Sequence, residues 1–136
     1  MARLSEFTVT LPGGRRAEAT VRGHRVLTDQ PTDNGGEDSA PGPYEFFLAS
    51  IGTCVAITLQ GFCAKRGLAT ADLRVRQVMH YDAEGLLTSV ELEVALPPDF
   101  PEKYRDAALR AAETCSVKRA IAAPPSFSVR AWMPEE

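Results

Sequence analysis

The sequence of 136 residues is short of the residues that most often announce a chemistry. It holds three Cys, two His and one Trp, and no Cys or His pair stands at a metal-ligand spacing such as CxxC or HExxH. No metal site is therefore expected. Three is an odd number of cysteines, and no basic segment followed by an apolar run and a small-residue cleavage site opens the sequence. A disulfide-stapled secreted domain is thus not expected, and the reducing cytoplasm is. Fifteen Lys and Arg stand against 18 Asp and Glu, for a formal net charge of −3. With no basic block to neutralise a phosphate backbone, nucleic acid is not expected as a partner. No uninterrupted apolar run reaches the roughly 20 residues of a membrane span, because Ser50, Thr53, Thr58 and Gln60 break up the greasiest segment. Gly35-Gly36 is an isolated pair, not a phosphate-cradling loop. What remains is chemistry resting on thiols, on carboxylates or on shape.

The chain is long enough for one domain, 1–136, with a core of its own. Glu6 to Leu11 and Ala17 to Arg22 alternate as strands do, around a Pro12-Gly13-Gly14 turn. A third run, His24 to Asp29, stops before Pro31, and residues 30–43 read as an exposed loop. From Pro43 to Cys63 the pattern is helical, with Pro at the first position, Glu45 in the first turn and Lys65-Arg66-Gly67 at the end. Apolar residues occupy all sides of this helix, which predicts burial in a core or a dimer interface. Leu73 to Tyr81 and Leu86 to Leu96 alternate around Asp82-Ala83-Glu84-Gly85 as a second hairpin. Glu102 to Thr114 is an amphipathic helix, Ser116 caps a short helix over 117–122, and Phe127, Val129 and Ala131 suggest a last strand. Strands, long helix, strands, helix, strand is an α+β order.

The thiols differ in setting. Cys54 lies mid-helix among small and polar neighbours, whereas Cys115 lies at a helix junction before Lys118 and Arg119. Nearby cations and helix N-termini favour the reactive thiolate. Cys54 gains the same help if the two helices pack together. On spacing alone, each reads equally well as a small buried hydrophobe. Cys63 lies nine residues beyond Cys54, about 900° of rotation and about 13 Å of rise along a helix. The two cannot pair directly, so the redox partner open to Cys54 is Cys115, and Cys63 reads as core. Glu45 suits the positive end of the helix, either as a cap or as a holder of a cation. His24 borders the polar loop and can orient a substrate; His80 reads as an edge residue. Arg15, Arg16, Arg22 and Arg25 are surface charges unless one faces a thiolate.

Together these segments resemble a known family. Pro43-Tyr44-Glu45-Phe46-Phe47-Leu48-Ala49-Ser50-Ile51-Gly52-Thr53-Cys54 is similar to the P-x-E-L-L-L-A-A-L-G-x-C helix of the OsmC/Ohr proteins, the osmotically inducible and organic hydroperoxide resistance proteins. Cys115-Ser116-Val117-Lys118-Arg119 is similar to their C-P-V-H-R, and His24 to Gly36 resembles the loop of the YhfA-like branch. The resemblance implies an intertwined α+β homodimer, with β-sheets wrapped around two long central helices, and thiol-dependent reduction of organic hydroperoxides. Cys54 would be the peroxidatic thiol and Cys115 the resolving one, with an external dithiol of lipoyl or similar type as reductant and no cofactor (metal, flavin or nicotinamide) required. Glu45 would be the catalytic carboxylate, one position later than in the well-known peroxidase branches, where this chain has Tyr44. His24, Arg25, Arg15, Arg16, Lys118 and Arg119 are the candidates to support thiolate or substrate. The alternative is a dimer of the same fold that binds a small apolar ligand or senses oxidants with little turnover.

Overall fold

A computed structural model describes residues 5–134. The elements run β1 (Thr8–Gly13), β2 (Arg16–Val21), β3 (His24–Thr28), α1 (Pro43–Ala64), β4 (Arg74–Tyr81), β5 (Leu87–Ala95), α2 (Arg105–Ala112) and α3 (Ser116–Ala122). This is the α+β order expected from the sequence. The chain divides into two compact units, one ending at Ser50 and the other beginning at Ile51.

In the first unit β1, β2 and β3 form an antiparallel sheet in that order. Pro12, expected in the turn, instead lies inside β1, where pairing with β2 is irregular between Thr10 and Gly13. An edge strand with a bulge tolerates a residue that lacks an N–H. β2 and β3 meet through Arg22-Gly23, both at positive φ (50° and 81°). That is the backbone a two-residue hairpin turn needs, and Gly23 adopts it without steric cost.

The loop after β3 is better held than its composition suggests. Asp29 is only 1% exposed, and its carboxylate accepts hydrogen bonds from Gln30 N (2.8 Å), Ser39 N (3.0 Å) and Ser39 Oγ (2.5 Å). Those donors hold it well below the usual carboxylate range, at about 2, the Ser39 hydroxyl contributing most. A 3₁₀ turn over Thr32–Asn34 sits inside the loop.

α1 was expected to be covered on all sides; within the chain one stripe is. Leu48, Ile51, Val55, Leu59 and Phe62 are buried at helical spacing, while Tyr44, Phe47 and Ile57 are exposed. By length and composition α1 could also cross a membrane, but in the second unit its stripe belongs to a core. There Val55, Leu59, Phe62 and Cys63 pack with Ala108, Ala112 and Cys115, joined by Val75 of β4 and Leu92 and Val94 of β5. Gly52 makes this approach possible, since a Cβ there would lie 2.1 Å from Gln77 Oε1.

Two local expectations are corrected. A 3₁₀ turn over Glu102–Tyr104 replaces the first turn of the expected helix before α2. The expected strand at Phe127, Val129 and Ala131 does not form, residues 124–134 being irregular. Phe127 and Val129 are 87% and 98% exposed. A period-two pattern specifies a face, but a strand also needs a neighbour to exchange ladder hydrogen bonds. Among the described residues β4 and β5 pair only with each other.

Candidate functional site

Two elements of the second unit build the site. Cys54 is held about three turns into α1, part-exposed, on the flank of the buried stripe between Ile51 and Val55. Cys115 is buried at the junction of α2 and α3. Its backbone is extended (φ −63°, ψ 140°), and its sulfur accepts the Lys118 N–H at 3.3 Å. Cys115 is therefore the N-cap of α3, in the role expected of Ser116.

The one-residue shift decides what Ser116 does. As the first helical residue it is not the cap, and its Oγ lies 3.9 Å from Cys54 Sγ. The turn that follows Cys115 thus brings its polar groups to the other thiol. The Val117 N–H is the largest influence on Cys54, lowering its pKa; partial burial opposes it, and the Cys115 thiol, the Ser116 hydroxyl and the Ser116 N–H lower it further. Each lowering contribution is a hydrogen bond to sulfur, which favours the anion. The structure thus packs Cys54 against the core cluster that holds Cys115, near enough for the Cys115 thiol to lower the Cys54 pKa, and neither is in a disulfide.

The third thiol behaves oppositely. Cys63 is 1% exposed in the core, and burial pushes its pKa up, with Arg66 nearby only partly offsetting this. A buried thiol kept protonated is a poor nucleophile. A groove of about 240 Å³, lined by Val55, Leu92, Val94, Leu109, Ala112 and Lys118 among others, shares residues with the surroundings of Cys54 and Cys115.

Of the proposed supporting residues, Lys118 acts here through its backbone, on Cys115, and Arg119 is exposed on α3 with its N–H bonded to Cys115 O at 3.1 Å. The others belong to the first unit. Arg25 is engaged by Glu18, with one N–H···O contact of 2.9 Å, and each group stabilises the charge of the other. Arg16 Nε donates to Gly13 O at 3.2 Å, and the Arg15 side chain lies beside Gly35. His24 is exposed at the start of β3. Glu45 Oε1 accepts the Gly42 N–H at 3.0 Å, closing the first turn of α1. Sequence reasoning missed Ser116 and the Val117 amide as groups serving Cys54. The available signal was Cys115 itself, whose sulfur can cap a helix as a hydroxyl does.

The family model described as OsmC-like protein matches residues 36–130. A search of curated protein sequences finds no match. Among solved structures, a putative osmotic stress induced and detoxification response protein from Psychrobacter arcticus 273-4 is 21% identical with a TM-score of 0.70, over 88% of this chain and 90% of that one. An organic hydroperoxide resistance protein from Elizabethkingia anophelis, with thiocyanate bound, is 22% identical with a TM-score of 0.59, over 91% and 93%. A putative organic hydroperoxide resistance protein from Vibrio cholerae, with captopril in one of its active sites, is 17% identical with a TM-score of 0.56, over 91% and 89%. At these identities the likeness is one of fold.

Proposed function

The chain belongs to the OsmC-like protein family, and from that premise we propose that it is a thiol-dependent peroxidase reducing organic hydroperoxides to alcohols. The observation that carries this reading is the pairing of a part-exposed Cys54, its pKa lowered by the 115–117 turn, with the Cys115 thiol. In the first step the Cys54 thiolate attacks the distal oxygen of the hydroperoxide. An S–O bond forms, the O–O bond breaks, sulfur is oxidised by two electrons, and the departing alkoxide takes a proton to leave as alcohol. Cys115 then attacks the sulfenic sulfur, giving the Cys54–Cys115 disulfide and water. An external dithiol, of lipoyl or similar type, reduces that disulfide by two exchanges and becomes a disulfide itself.

Glu45 as the carboxylate, and His24, Arg15, Arg16 and Arg25 as supports of thiolate or substrate, are part of this proposal, each testable by substitution. The same reading includes a homodimer in a reducing cytoplasm. Its support is the apolar side of α1 left exposed at Ile57 (66%), together with the exposed alternating residues of 124–134. Light scattering on the purified protein tests it, a monomer at micromolar concentration being the contrary result. The activity is tested by hydroperoxide consumption with a dithiol reductant. Oxidation of Cys54 and Cys115 once, without cycling, would instead support an oxidant sensor.

A further inference from the structure

We infer that the Ser116 hydroxyl is an activating donor for Cys54, supplying a side-chain hydrogen bond to the sulfur in its anionic form. Ser116 Oγ and Cys54 Sγ lie 3.9 Å apart. The geometry is compatible with either direction of donation while Cys54 carries its proton. Once the proton leaves, the sulfur is only an acceptor and the hydroxyl is the one able to donate. A hydrogen bond to a charged acceptor is stronger than one between neutral groups, so the contact stabilises the thiolate more than the thiol.

Ser116 is available for this because Cys115 Sγ takes the helix cap by accepting the Lys118 N–H. Had Ser116 been the cap, its oxygen would have turned back to its own helix. The side chain is instead exposed and directed at the reacting sulfur of another element, 62 positions away in the chain. The hydroxyl thus adds to the Val117 N–H in favouring the nucleophilic form of Cys54.

This inference concerns the thiol named under the proposed function, but its test does not require turnover. The rate at which iodoacetamide alkylates Cys54 is followed against pH by peptide mass spectrometry. Wild type is compared with Ser116→Ala, Ser116→Thr and Ser116→Pro. Removing the hydroxyl in Ser116→Ala is expected to raise the apparent pKa of Cys54 by about 0.5–1 unit. That slows alkylation near pH 7 about three- to tenfold. Ser116→Thr, which keeps a hydroxyl, stays near wild type. Ser116→Pro, tolerated at a first helical position, loses hydroxyl and N–H together and shifts at least as far as Ser116→Ala. An unchanged pKa in Ser116→Ala, or a shift in Ser116→Thr as large as in Ser116→Ala, overturns the inference. Should the expected pKa pattern appear in a protein that consumes no hydroperoxide, the peroxidase reading fails while the role of Ser116 stands.

Discussion

Cys115 Sγ accepts the backbone N–H of Lys118 at 3.3 Å, so the sulfur paired with Cys54 also starts helix α3. The position proposed to resolve the sulfenic acid therefore also carries a structural duty. Cys115→Ser preserves a side chain that caps well, whereas Cys115→Ala removes the cap, which costs about 1 kcal/mol. Urea titrations should find Cys115→Ala the less stable of the two by about that amount. Equal midpoints would show that the cap contributes nothing.

The hydrogen bonds converging on Cys54 lower its pKa, while burial raises that of Cys63. At neutral pH Cys54 therefore has the larger thiolate fraction, and its reactivity persists at lower pH than an ordinary thiol, about 8.5. Alkylation of the folded protein at pH 7 should label Cys54 well before Cys63. Denaturation should abolish the difference, since both thiols then return to ordinary values.

Asp29 links stability to acid. Its pKa falls from the ordinary 3.8 to about 2 in the folded protein, chiefly through the Ser39 hydroxyl. A carboxylate with a depressed folded pKa stabilises fully above its unfolded pKa, and the contribution disappears as pH falls through the folded one. Thermal melts should show wild type losing stability between about pH 4 and pH 2. Asp29→Asn should be less stable than wild type at pH 7 and lose less over that acid range. Parallel curves for the two proteins would refute the role of the buried carboxylate.

At Gly52 two effects compete. Alanine gains about 1 kcal/mol of helix propensity over glycine. A Cβ there lies 2.1 Å from Gln77 Oε1 and must push that side chain aside, an overpacking cost of about 1–3 kcal/mol. Gly52→Ala should therefore be net destabilising in wild type and stabilising in a Gln77→Ala background. A double-mutant cycle reads this reversal of sign, and additive effects would contradict it.

Much of the fold was legible because alternation and helical spacing report local structure directly. β2 and β3, α1 from Pro43, and the hairpin of β4 and β5 all follow from such patterns. The misses have non-local causes. Phe127, Val129 and Ala131 alternate correctly, yet they form no strand, and among the described residues β4 and β5 pair only with each other. Asp29 looked like the end of a strand, and only the return of Ser39 makes it a buried acceptor. At the candidate site, Cys54 and Cys115 are singled out by the motifs around them, not by composition. Ser116 was misread because residue type favoured it as a cap, whereas backbone geometry gave the cap to Cys115.

The central claim is that Cys54 reduces hydroperoxides in a cycle completed by Cys115. It is tested most directly by the rate at which the purified protein, with a lipoyl-type dithiol in excess, consumes cumene hydroperoxide. Wild type should turn over many times, and Cys54→Ser should fall to the rate of dithiol alone. With the dithiol left out, Cys115→Ser should consume about one equivalent and hold Cys54 as a sulfenic acid that dimedone traps, whereas wild type should pass on to the Cys54–Cys115 disulfide. Consumption by wild type no faster than by Cys54→Ser would contradict the account.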